Sequence, residues 1–196
     1  SIFVVGSPEV DLINSSDLPS VEEVKEYYDI SFDQYSVVLF HPVTTEHDQI
    51  ALNAKDLVEA ILEDSRNYIV IHPNNDFGSD IILDEYKKLK NSSRFKLLTS
   101  MRFEYYISIL KNSDFLIGNS SSGVRETPIM GTPSINIGSR QHKRSSADTI
   151  INCDPTKESI KNAIQNVSKL NLSKSSNFGE GNSADKFESI LKKKTL

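Results

Sequence analysis

An α/β fold built on a doubly wound parallel sheet is what this sequence predicts, and three observations carry the expectation. Short apolar runs rich in β-branched or aromatic residues recur along the chain, segments with helical spacing lie between them, and a polar loop follows each run. Alternation of strand and helix calls for crossover connections, which generate a parallel sheet covered on both faces.

The strand-like runs are Ile2 to Val5, Val37 to Phe40, Tyr68 to Ile71, Phe95 to Leu98, Phe115 to Ile117 and Ser134 to Ile137. Between Glu46 and Asp64 the apolar positions Ile50, Ala54, Leu57, Val58, Ile61 and Leu62 share one helical face. Further helices are expected at Ile81 to Lys90, Phe103 to Lys111, Gly123 to Met130, Lys157 to Ser168 and Ala184 to Lys193. Asn171 to Asn177 reads as a polar connector before the last of these. The sum is a Rossmann-like sandwich. In such a sheet ligands gather at the carboxyl ends of the strands. That rim would be made by five loops, beginning at His41, His72, Ser100, Asn119 and Gly138.

Composition bounds the function. The chain has 196 residues, 37% apolar and 25% charged, enough for one well-buried domain. A net charge of −5 argues against broad nucleic-acid binding, which needs a basic face. Cys153 is the only cysteine, so neither an intrachain disulfide nor a thiolate metal cluster is available, and a reducing cytoplasm fits. No apolar run reaches membrane-spanning length. No metal-ligand spacing and no cofactor motif is present, so neither is expected. The chain begins on Ser1 and enters an apolar run at once, so it reads as a piece of a longer protein.

The strongest local signal is Gly118-Asn119-Ser120-Ser121-Ser122-Gly123-Val124-Arg125-Glu126, a strand running into a small-residue turn that opens a helix. Free backbone N–H groups and serine hydroxyls there would suit a diphosphate. The turn lacks both the Gly-Lys-Ser/Thr ending of a P-loop and the GxGxxG fingerprint, which disfavours an ATPase or an NAD enzyme. Standing alone it is more simply a serine-capped helix. Glu126 could accept two hydrogen bonds from a ribose diol, or merely complement the helix dipole. Arg140 is a candidate diphosphate clamp through its planar fork of donors, or a solvated surface charge beside Lys143 and Arg144.

The string GNSSSGVRETPIMGTPSINIGSRQ, Gly118 to Gln141, resembles the signature of hydrolysing UDP-N-acetylglucosamine 2-epimerases of sialic-acid-type biosynthesis. The pieces GSP with Asp11, HPVTTE at His41, HPNNDFGS at His72 and GEGNSA at Gly179 agree with it in colinear order. The resemblance implies one half, the C-terminal UDP-binding half, of a two-domain fold like that of B-type glycosyltransferases. The N-terminal domain would be absent from these residues. It also implies UDP contacts at Ser120, Ser121, Glu126 and Arg140, with the backbone of Met101 facing uracil and Asn74 facing the diphosphate or sugar. His41 would be the catalytic residue here, its ordinary pKa suiting proton transfer. Ser122 departs modestly from the family pattern, standing where relatives often carry another small residue.

The reaction so implied converts UDP-GlcNAc and water to UDP and N-acetylmannosamine. Rival readings are a UDP-2,4-diacetamido-sugar hydrolysing 2-epimerase, a B-type glycosyltransferase donor domain and a non-catalytic nucleotide-sugar-binding module. The expected partners are a UDP-sugar and the N-terminal domain of the same parent. Homo-oligomerisation stays open.

Overall fold

The computed structural model describes residues 2–194. Six parallel strands form one sheet: β1 (Ser36–Leu39), β2 (Tyr68–Ile71), β3 (Phe95–Leu98), β4 (Leu116–Gly118), β5 (Ser134–Ile137) and β6 (Ile150–Cys153). Their order across the sheet is β3-β2-β1-β4-β5-β6, so the winding reverses between β1 and β4. A reversal of this kind opens a crevice at the strands' carboxyl ends, because neighbouring crossovers leave on opposite faces.

One face of the sheet packs on α3 (Ile50–Glu63), α4 (Ser79–Tyr86) and α7 (Lys157–Asn166), in a core that includes Val38, Leu57, Ile61, Val70, Ile82, Ile117 and Ile160. The other packs on α1 (Pro8–Ile13), α2 (Val21–Tyr27), α5 (Phe103–Lys111) and α6 (Glu126–Met130), around Val24, Val37, Ile69, Ile107, Leu110 and Leu116. Successive strand residues point to opposite faces. The neighbours Val37 and Val38 accordingly enter different cores. The fold is therefore the doubly wound α/β sandwich expected.

Several elements differ from the sequence reading. Ile2 to Val5 is not a strand, and Ile2 and Val4 are 95% and 91% exposed. The segment lies outside the order of the six-stranded sheet. β6 escaped notice because polar Asn152 interrupts a four-residue run at the sheet edge. α1 and α2 are only six and seven residues long, too short for a period to show. The helix expected from Glu46 starts at Ile50, after a 3₁₀ stretch Thr44–Gln49 in which Glu46 leaves helical geometry. The helix expected from Gly123 is the five-residue α6, preceded by a 3₁₀ turn over Ser121–Gly123.

The last helix, α8 (Ser183–Lys194), is tied to the first. The Asp11 carboxylate accepts hydrogen bonds from Ser183 N–H (3.0 Å), Ser183 O–H (2.8 Å) and Ala184 N–H (3.0 Å). Those donors belong to the start of α8, whose first turn has no helical acceptors of its own. The GSP segment and the terminal glycine motif, far apart in sequence, thus meet as one structural clasp. Ser7 N–H completes it by donating to Phe178 C=O at 2.8 Å.

Candidate functional site at the strand-order reversal

β1 and β4 lie side by side with Leu39 opposite Gly118, so the loops leaving them start together. The chains approach so closely that a Cβ on Gly118 would lie 2.0 Å from Leu39 C=O, and Gly118 stands at φ +147°. Only glycine fits there.

The next residue on β4's side, Asn119, is buried and links the rim. Its Oδ1 accepts from His41 N–H at 2.7 Å and its Nδ2 donates to His41 C=O at 2.8 Å. Its own C=O accepts from Arg140 Nη1 and from the buried Gln141 Nε2, each at 3.1 Å. Asn74 N–H donates to His41 Nδ1 at 3.1 Å. Loops after β1, β2, β4 and β5 are therefore joined through one asparagine and one histidine. Of the residues expected from the sequence, His41, Asn74 and Arg140 are brought together directly, and Ser120 and Ser121 follow Asn119 in the chain. Met101 lies on the rim beyond β3 and packs against the core that holds Tyr106.

Electrostatics changes the reading of His41. Burial, with the Arg140 guanidinium beside it, pushes its pKa down to about 4, against weaker upward pulls from the Asn74 side chain and from Asp76. An N–H aimed at Nδ1 requires that nitrogen to be unprotonated, so the ring is neutral with its proton on Nε2. The ordinary pKa expected of this histidine is not what its surroundings give.

The serine turn also differs from expectation. Its N–H groups are largely committed: Ser122 to Ser120 Oγ (3.3 Å), Gly123 to Ser120 C=O (3.2 Å), and Val124 and Arg125 to Ser121 C=O (3.0 Å each). A 3₁₀ turn satisfies its own donors, and a five-residue helix behind it has little macrodipole. Donors for an anion must then come chiefly from the side chains of Ser120, Ser121 and Arg140. Arg140 uses one N–H on Asn119, leaving the rest of its fork.

Glu126 is the first residue of α6 rather than one turn inside a longer helix, and it is buried. Burial raises its pKa, while its own backbone N–H, Arg125 and Ser122 act the other way. Its Oε2 is enclosed and makes no hydrogen bond. Arg125 turns away to pair with Glu9 at 3.1 Å and to donate to Ser7 Oγ at 3.2 Å. The sequence reading missed the joining role of Asn119 and Gln141. The only signal was their place at strand ends, because a side chain bonding across 78 residues leaves no local pattern.

A parallel sheet reversed at β1/β4, with a polar rim of serines, an arginine and a neutral histidine at its strand ends, defines a doubly wound, Rossmann-like α/β domain. The model of the UDP-N-acetylglucosamine 2-epimerase family matches residues 1–192, and the chain belongs to that family. It is 43% identical over 169 residues to the UDP-N-acetylglucosamine 2-epimerase of Neisseria meningitidis serogroup B, covering 86% of this chain and 45% of that protein. It is 27% identical over 194 residues to a hydrolysing UDP-N,N'-diacetylbacillosamine 2-epimerase of Legionella pneumophila, covering 98% of this chain and 52% of that protein. The fold matches the Methanocaldococcus jannaschii UDP-GlcNAc 2-epimerase solved with UDP-GlcNAc and UDP, with a TM-score of 0.76 at 22% identity over 98% of this chain and 55% of that one. The chain spans about half the length of the relatives it matches.

Proposed function

We propose that this chain is the UDP-binding half of a hydrolysing UDP-N-acetylglucosamine 2-epimerase, forming UDP and N-acetylmannosamine from UDP-GlcNAc and water. The observation that carries the reading is the joined rim, in which His41, Asn74, Arg140 and the serine turn meet at the strand reversal through Asn119. The 43% identical relative is named a UDP-N-acetylglucosamine 2-epimerase, which supports the substrate and the epimerised carbon. Ser120, Ser121 and Arg140 hold the diphosphate, Glu126 meets the ribose, and the Met101 backbone faces uracil.

In the reaction the C1–O bond breaks, its electron pair leaves with UDP, and the C2 proton passes to a base, giving a glycal. Water then adds across the double bond, returning a proton to C2 on the opposite face and placing hydroxyl on C1. Charge grows on the departing diphosphate, where Arg140 and the serine hydroxyls act electrostatically. A neutral His41, donating from Nε2, can hydrogen-bond a substrate oxygen as developing charge reaches it. The base that takes the C2 proton is assigned to the other half of the parent, and the domain alone binds UDP without turnover.

A second substrate, a UDP-diacetamido sugar, is favoured by the relative covering 98% of this chain. One experiment tests both readings: the intact parent is incubated with UDP-GlcNAc and with the diacetamido analogue, and UDP release and sugar product are followed by NMR. Free N-acetylmannosamine from UDP-GlcNAc supports the first reading. Turnover of the analogue alone selects the second, and transfer to an acceptor sugar with no free sugar overturns both.

A further inference from the structure

Two buried polar groups of opposite kind stand on α5 and α6, helices that are in contact on one face of the sheet. Tyr106, on α5, is 6% exposed and Glu126, on α6, is 7% exposed. The Tyr106 hydroxyl and Glu126 Oε2 are each enclosed, and neither makes a hydrogen bond. The side chain of Ser122 lies beside both, and the charge of the Glu126 carboxylate acts on the Tyr106 phenol. A phenol O–H is a donor and a carboxylate oxygen an acceptor. Leaving both unmade costs about 1–3 kcal/mol for each group.

We infer that Tyr106 is a positioning residue for the ribose of the bound nucleotide, acting through Ser122 on Glu126. The inference rests on the UDP-binding reading above. Because Oε2 is enclosed, a ligand diol can reach only the other carboxylate oxygen. The inner oxygen must be held from within the protein, and the donors at hand are Ser122 and, beside Ser122, Tyr106. The remaining charged neighbours are Arg125, which is engaged with Glu9, and Glu9 itself on α1. When the diol draws on the outer oxygen, a small turn of the carboxylate brings the inner one onto the Ser122 and Tyr106 hydroxyls, and the unmade bonds close. Tyr106 also lies near the start of α5, the helix that follows directly on Met101 and Arg102, at the expected uracil side.

The test uses the intact protein with UDP, 2′,3′-dideoxy-UDP and pyrophosphate as probes in calorimetry, beside a melting curve. The wild type should prefer UDP to the dideoxy analogue. Tyr106→Phe should weaken UDP about tenfold, as expected for loss of a hydrogen bond to a charged group. It should leave the dideoxy analogue and pyrophosphate within about twofold. The melting temperature should hold or rise, since the variant removes an unpaired hydroxyl. Ser122→Ala should move UDP in the same direction by less, and serves if the tyrosine variant folds poorly. Retention of the full UDP preference by Tyr106→Phe overturns the inference and leaves UDP binding standing. So does a uniform weakening of all three probes with a lowered melting temperature, which marks a merely structural tyrosine. A wild type that does not bind UDP at all overturns the functional reading itself.

Discussion

The side-chain amide of Asn119 and the backbone of His41 bond in both directions, Oδ1 accepting at 2.7 Å and Nδ2 donating at 2.8 Å. This pair bridges the point where the sheet reverses its winding, so it sets where the histidine stands relative to the serine turn.

Asn119→Ala should therefore be costly. It strands His41 N–H and C=O with nothing to replace the amide, a loss of about 3 kcal/mol if both stay buried and unpaired. Denaturant titration should show the drop, and UDP affinity measured on the surviving folded fraction should fall with it. A variant as stable as wild type would remove Asn119 from this role.

His41 should make stability fall as pH drops. Its folded pKa, about 4, lies below the ordinary 6.5, so the unfolded chain takes up a proton that the folded state refuses. The contribution is whole above about pH 6.5 and is lost progressively down to about pH 4. His72, also lowered by burial and by Lys90, adds to the same trend. The informative quantity is thus the difference between wild type and His41→Gln in chemical denaturation at pH 7 and pH 5. The gap should narrow at the lower pH, and a constant gap counts against a neutral buried imidazole.

Turnover gives a separate test of His41. In the intact parent, His41→Ala should lower kcat by about 10²-fold or more, as for loss of a positioned proton-transfer or hydrogen-bonding group, while UDP affinity stays within a few-fold. Equal losses in kcat and UDP affinity, with a lowered melting temperature, would mark the residue as structural.

Gly118→Ala should be poorly tolerated. The added methyl would stand 2.0 Å from Leu39 C=O, and backbone cannot yield as a flexible side chain does. A cost of about 3 kcal/mol or more is expected, read as a lowered melting temperature or insolubility. Normal stability would mean that β1 and β4 part more easily than their register suggests.

Asp11→Ala should free the start of α8 without harming the sheet, because the three hydrogen bonds of its carboxylate all go to Ser183 and Ala184. Limited proteolysis should cut near residues 178–184 faster in the variant, with hydrogen exchange in β1 and β4 unchanged. Its stabilising charge depends on a pKa held below the usual range by those same N–H groups. Wild type should accordingly begin to lose the clasp only as pH falls through about 3.8 and below.

Much of this protein was determined by its sequence alone. The apolar runs at Val37, Tyr68, Phe95 and Ser134, set between segments of helical period, dictate a parallel sheet with helices on both faces, because burial on two sides requires it. The string from Gly118 to Gln141, with the colinear pieces at Gly6, His41, His72 and Gly179, carried the family resemblance, because each motif is contiguous in sequence. Tertiary structure decided what depends on contacts between distant residues. It left Ile2 to Val5 outside the sheet, turned Asp11 into the cap of a helix 172 positions away, and committed the serine turn's N–H groups internally. It also joined Asn119 to His41 and, through burial and the neighbouring Arg140, moved that histidine out of the neutral titration range. Periodicity reports which face of an element is apolar, whereas a pKa or an orphaned hydroxyl is set by the groups packed around it, and those arrive only when the chain closes.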